Sequence, residues 1–215
     1  MPELREKQAF AGADVYRLLS ACYYQPEDAF LEEDVFGQLA AALALTLPHE
    51  ESQAGKLAAA FNSAGVDSLL LDYTRLFLGP FGILAKPYGS LYLDGDKQVM
   101  GDSTMRAQDL YREGGFDIDE SFREAPDHVA VELEFLYLLT HRIGEARLSG
   151  NKAETARLTG LKRQFLGEHL GRWIGTFADK VRDGAETDYF RELAELTQRF
   201  VQNDIRELER QSSAP

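Results

Sequence analysis

The chain has one cysteine, Cys22, among 215 residues, which excludes an intramolecular disulfide and leaves no Cys pair for zinc or thiol redox chemistry. Basic residues are scarce: 23 Lys and Arg stand against 36 Asp and Glu, a formal charge of −13. Nucleic-acid binding draws its affinity from Lys and Arg displacing counterions, so this balance argues against it and favours a cationic partner. No long uncharged apolar run is present, so stable membrane insertion is not expected. The opening M-P-E-L-R-E-K-Q lacks the basic-then-apolar order of a secretory signal, which leads us to expect a cytoplasmic protein. G-x-S-x-G, P-loop and dinucleotide fingerprints are missing, and with them the usual residues for acyl, phosphoryl and hydride transfer. Neither an internal repeat nor a period-two strand pattern stands out.

Helical signals are abundant instead. The stretch from Glu124 to Thr140 reads E-A-P-D-H-V-A-V-E-L-E-F-L-Y-L-L-T. Pro126 suits a first helical turn, and Glu124 and Asp127 suit the positive end of the helix dipole. From Val129 to Leu139 nine of eleven residues are apolar, so this helix should be the buried centre of an all-α domain. Asp127 and His128 then sit at its mouth. Val15, Leu18, Leu19, Cys22 and Tyr23 mark a first helix over about 4–24, with Cys22 on its apolar stripe as a core residue. A second follows from Phe30 to Leu43, ending near Pro48. A third spans about 51–61, and a fourth, capped by Asp67, carries Leu69, Tyr73, Leu76 and Phe77 up to Gly79-Pro80. Residues 102–113 form another. A long helix over about 152–181 repeats Phe165, His169, Trp173, Phe177 and Val181 every four residues, and a last spans about 186–209.

Two segments resist this pattern. Residues 79–101 form a long irregular loop carrying Phe81, Ile83, Leu84, Pro87, Tyr88, Leu91 and Tyr92; loops of that length in compact domains tend to be functional. Residues 116–123 are an acidic connector. They read as a hinge between an N-terminal helical half, 1–123, and a C-terminal half, 124–215, interlocked in one compact multi-helix bundle.

The acid–base candidates lie on the central helix. Glu132 and Glu134 point about 200° apart and cannot act as a pair on one substrate. Asp127, Glu134 and His141 share a stripe, but each step of seven residues spans about 10.5 Å, too far for one metal ion. His128 and Glu132, at i and i+4, could hydrogen-bond or share a ligand. They form the alternative reading: a helical metalloprotein or hydrolase. His169, within a Phe and Trp stripe, reads as a hydrogen-bonded core histidine.

Three segments together resemble the TorD/DmsD/NarJ family of redox-enzyme maturation chaperones: Y-T-R-L-F-L-G-P at 73–80, P-Y-G-S-L-Y-L-D at 87–94 followed by G-D-S-T at 101–104, and A-P-D-H-V-A-V-E-L-E-F in the central stretch. The helix F-L-G-E-H-L-G-R-W-I-G-T-F is similar in style. The resemblance implies an all-α fold, no catalysis and no cofactor of its own. It implies a chaperone for the precursor of a molybdopterin-containing oxidoreductase, binding its twin-arginine signal peptide and apo form and assisting cofactor insertion before export. Carried over, the peptide-binding residues are Tyr73, Leu76, Phe77, Pro87, Tyr88, Ser90, Pro126, Asp127 and His128. On this reading the first aromatics form an apolar wall, while Asp127 and the acidic connector offer carboxylates to guanidinium groups. Tyr73 and Tyr88 stand where some members have Trp. The resemblance leaves open the client enzyme, weak guanine-nucleotide binding, and whether the protein is a monomer or a domain-swapped dimer.

Overall fold

The structure is a computed structural model that describes residues 2–79, 82–95, 99–119 and 124–213. Its elements are α1 (Pro2–Cys22), α2 (Ala29–Glu32), α3 (Val35–Thr46), a 3-10 turn (Pro48–Glu50), α4 (Glu51–Ala64), α5 (Val66–Tyr73) running into a π turn (Thr74–Leu78), α6 (Ser90–Leu93), α7 (Asp102–Glu113) and α8 (Val129–Leu148). Then come α9 (Lys152–Phe165), a second π turn (Leu166–Leu170), α10 (Gly171–Gly184) and α11 (Asp188–Ser213). The fold is all-α. Among the described residues the only extended pairing is a single bridge between Tyr88 and His128.

The apolar centre expected at α8 is there: Val129, Ala130, Leu133, Leu136 and Leu139 are fully buried. α1 lies along α8 and also packs on α3, while α11 packs on α4 and α10. One apolar cluster therefore runs from Val15 to Leu208, drawing on residues from both sides of position 124. The α1–α8 contact is close because small residues meet there. A Cβ on Gly144 would stand 2.8 Å from the Ala9 carbonyl oxygen and 2.9 Å from the Phe10 ring, and one on Gly12 would lie 3.6 Å from Thr140.

Several boundaries differ from the expected ones. The second helix is two, because Asp34 turns left-handed at φ 51° and splits α2 from α3; Asp tolerates that conformation better than most residues. Gly65, at φ 72°, rather than Asp67, precedes α5, and Asp67 falls in the first turn. The long helix over 152–181 holds, but it widens to a π turn where a Cβ on Gly171 would collide with the Leu166 carbonyl oxygen. Within the loop 79–101, residues 90–93 form the one-turn α6. Pro80 and Phe81 of that loop, residues 120–123 of the expected hinge, and the last two residues of the chain lie outside the described residues.

Gly144→Ala gains up to roughly 1 kcal/mol in helix propensity, yet its methyl meets a backbone oxygen across the helix pair. The clash should dominate, with a net loss of about 1–3 kcal/mol. A lowered urea midpoint is expected; a midpoint equal to or above that of the parent protein overturns the reading of this crossing.

Candidate functional site

The site grows from two loops zipped together at the mouth of α8. The Gly89 N–H donates to the Asp127 carbonyl and the Val129 N–H to the Pro87 carbonyl, both at 2.8 Å, forming the Tyr88–His128 bridge. Asp127 Oδ2 accepts the Ser90 N–H at 2.8 Å and so caps α6. His128 Nδ1 accepts the Ala130 N–H at 3.2 Å and caps α8. The Tyr111 hydroxyl donates to the Pro126 carbonyl at 2.7 Å, tying α7 to the same turn. Thus Pro87, Tyr88, Ser90, Pro126, Asp127 and His128, far apart in sequence, meet in one place.

Much of this set faces inward. Asp127, Ser90 and Leu76 have no exposed surface, and Phe77 is 3% exposed. Phe77 packs edge-on or tilted against Tyr23, Tyr73, Phe177 and Phe190. The expectation that Asp127 offers its carboxylate to a partner's guanidinium therefore meets a closed position, because the α6 N-terminus needs that oxygen. Asp127 Oδ1 and Ser90 Oγ are buried without a hydrogen-bond partner.

The outward side of the zipper adds Tyr24, which sequence reasoning passed over, to the expected Tyr88. Tyr24 stacks over the His128 ring with centroids 6.3 Å apart, and Tyr88 meets the same ring edge-on at 5.4 Å. The Tyr88 hydroxyl donates to Glu124 Oε1 at 3.1 Å. Partial burial, then the charges of Glu134 and Glu124, push the Tyr24 pKa up to about 12. Partial burial and Glu124 do the same for Tyr73, to about 12, and raise Tyr88. Burial holds His128 down at about 4 against the pull of Glu124 and Asp127, so its ring is neutral at pH 7. The result is an aromatic, anionic face of Tyr24, Tyr88, Glu124 and Glu134 around a neutral imidazole. A sequence signal for Tyr24 did exist: it lies one residue past the apolar stripe of α1, just before Pro26.

The profile of the nitrate reductase delta subunit family matches residues 36–179, which hold both loops of this zipper. The chain belongs to that family, the TorD/DmsD/NarJ group of redox-enzyme maturation chaperones. It is 27% identical over 210 residues to the chaperone protein TorD of Shewanella pealeana, covering 91% of this chain and 88% of that one. It is 29% identical over 189 residues to the Tat proofreading chaperone DmsD of Salmonella typhi, covering 84% and 82%. The fold is similar to that of a candidate redox enzyme maturation protein of Archaeoglobus fulgidus, at TM-score 0.56 and 22% identity over 88% of this chain and 93% of that one.

In this TorD/DmsD/NarJ member the side chains of the alternative pair, His128 and Glu132, are not joined. Glu132 is fully buried and turns to the other side, where Oε1 lies 2.7 Å from His169 Nε2 and Oε2 accepts the Trp173 indole N–H at 3.2 Å. The π turn places His169 for this contact. A Cβ on Gly89 would lie 2.9 Å from Trp173 Nε1 and 3.0 Å from Glu132 Oε1, so the glycine of P-Y-G-S lets α6 rest directly on the pair. Among the described residues no group of three or more His, Cys, Asp or Glu is placed to hold a metal ion.

Burial raises the Glu132 pKa against the opposing pull of His169. Burial alone would depress His169, but the Glu132 charge and hydrogen bond, with Asp127 and Asp94, hold it above 6.5. A histidine raised in the folded state contributes stability in full below its unfolded pKa of about 6.5 and loses it as pH rises through the folded value. The Glu132 shift has the same sign. The urea midpoint should therefore fall as pH rises above about 6.5, and His169→Gln should flatten that fall; an unchanged slope in the variant refutes this assignment.

Proposed function

We propose that the protein is a cytoplasmic chaperone for the precursor of a molybdopterin-containing oxidoreductase, and that it binds the twin-arginine signal peptide at the face around His128. It would hold the apo form until the cofactor is inserted, without catalysis of its own. The observation that carries this reading is the meeting of the P-Y-G-S and A-P-D-H segments at one bridge, with Tyr24, Tyr88 and Glu124 presented on its outer side.

The chemistry suits an arginine pair. A guanidinium stacks on tyrosine rings and donates hydrogen bonds to carboxylates from its planar fork. Glu124 and Glu134 supply the carboxylates, and the overall charge of −13 steers a cationic segment inward. Tyr73, Leu76, Phe77, Pro87, Ser90, Pro126 and Asp127 act from beneath, by fixing where Tyr88 and His128 stand. The naming of the DmsD relative as a Tat proofreading chaperone supports the same partner class.

A labelled peptide with two adjacent arginines followed by an apolar run should bind in fluorescence anisotropy, more weakly as salt rises. A charge-assisted contact contributes about 1.5–3 kcal/mol, so Glu124→Lys should weaken binding by at least tenfold while far-UV circular dichroism is unchanged. Equal affinity in Glu124→Lys and the parent protein removes this face from the binding site.

A further inference from the structure

The end of α7 and the outer side of α8 enclose an apolar hollow of about 170 Å³ that borders the anionic face. Its α8 wall is Val131, Glu134, Phe135 and Leu138, which recur at i, i+3, i+4 and i+7 and so form one stripe. Phe116 and Ile118, both partly exposed, form the facing wall. We infer that this hollow is the seat for one branched or aromatic side chain from the apolar run of the signal peptide, with Glu134 as the joint to the arginine-binding face. The inference rests on the peptide-binding reading and deepens it.

Size, charge and rigidity carry the argument. An apolar cavity of about 150 Å³ takes a benzene-sized group, so a leucine or phenylalanine side chain fits and a helix does not. Carboxylates border the hollow: Glu134 lies on its α8 stripe and Asp117, exposed, on the connector side. An apolar segment without cations would leave those charges uncompensated, whereas an apolar segment that follows an arginine pair matches both parts. Glu134 belongs to both features, since its charge also acts on Tyr24.

The connector wall is held in place before any ligand arrives. Gly115 turns at φ 78°, and a Cβ there would stand 2.9 Å from Arg142 Nη1. That Nη1 donates to the Gly114 carbonyl at 2.6 Å, while the guanidinium carbon lies 5.1 Å from the Phe116 ring centroid. The Phe116 N–H donates to the Tyr111 carbonyl at 3.0 Å. A wall fixed by its own chain costs a ligand little ordering entropy.

The test uses two synthetic peptides on the full chain, one with two arginines and a following leucine-rich run, the other ending just after the arginines. Leu138 and Ile118 are both partly exposed, so Leu138→Glu and Ile118→Glu should fold, as circular dichroism would check. Each variant should bind the long peptide at least tenfold more weakly than the parent protein and the short peptide equally well. If both variants bind the long peptide as the parent does, the hollow is not the seat, while the arginine-binding reading stands. If neither peptide binds the parent protein, both readings fall. If the variants change only the monomer–dimer balance in sedimentation, the hollow takes a second copy of this chain and the inference is overturned.

Discussion

A carboxylate with no exposed surface, Glu132, stands in the middle of an apolar helix, and much of the molecule is arranged around that demand. An unpaired buried charge costs several kcal/mol, so Glu132 must be given donors. They come from one rod, where the π turn carries His169 and the following turn of α10 carries Trp173. Those contacts fix α8 against α9 and α10. They also leave room above Glu132 for nothing larger than Gly89, which sets where α6 begins and therefore where Asp127 must place its capping oxygen. The zipper at Tyr88 and His128 thus follows from the neutralisation of one side chain.

The consequence is a division of labour between inner and outer layers. Asp127 and the aromatic stack around Phe77 are locked by packing and hydrogen bonds, whereas Tyr24, Tyr88, Glu124 and Glu134 face outward on the scaffold they support. A face built on a capped helix start and a paired loop has little freedom left for any ligand to remove. Neutral His128 between two tyrosines adds no positive charge that would repel a guanidinium.

The helical class and the central place of α8 were legible because a continuous apolar stretch leaves no face for water, and because the stripes of the other helices keep a 3.6-residue period. That the P-Y-G-S and A-P-D-H segments belong to one site was an expectation from family resemblance; that they pair with each other was not legible. What the sequence concealed was pairing across distance. Glu132 looked like an interruption of an apolar run, yet its partner His169 lies 37 residues on, in a stripe that read independently as core. Asp127 looked available because its obligation to the Ser90 N–H also spans 37 positions. Local propensity holds no record of such contacts. The break at Asp34 was missed for a different reason: a left-handed aspartate leaves the apolar spacing on either side of it nearly intact.

Charge distribution connects these layers to recognition. Pairing Glu132 internally removes it from the outer surface, so the field at the proposed binding face comes from Glu124, Glu134 and the wider excess of acids. Such a field acts over about 8–10 Å at physiological salt and raises the encounter rate with cations, but it does not discriminate among basic peptides. Discrimination requires a short-range feature that rejects segments lacking the right apolar neighbour. On the proposed reading, a hollow of about 170 Å³ beside Glu134 would supply such a feature, since its walls would reward only an apolar group presented at a fixed offset from the cation. Long-range attraction and short-range fit would in this way be carried by different residues, and a change in one need not disturb the other.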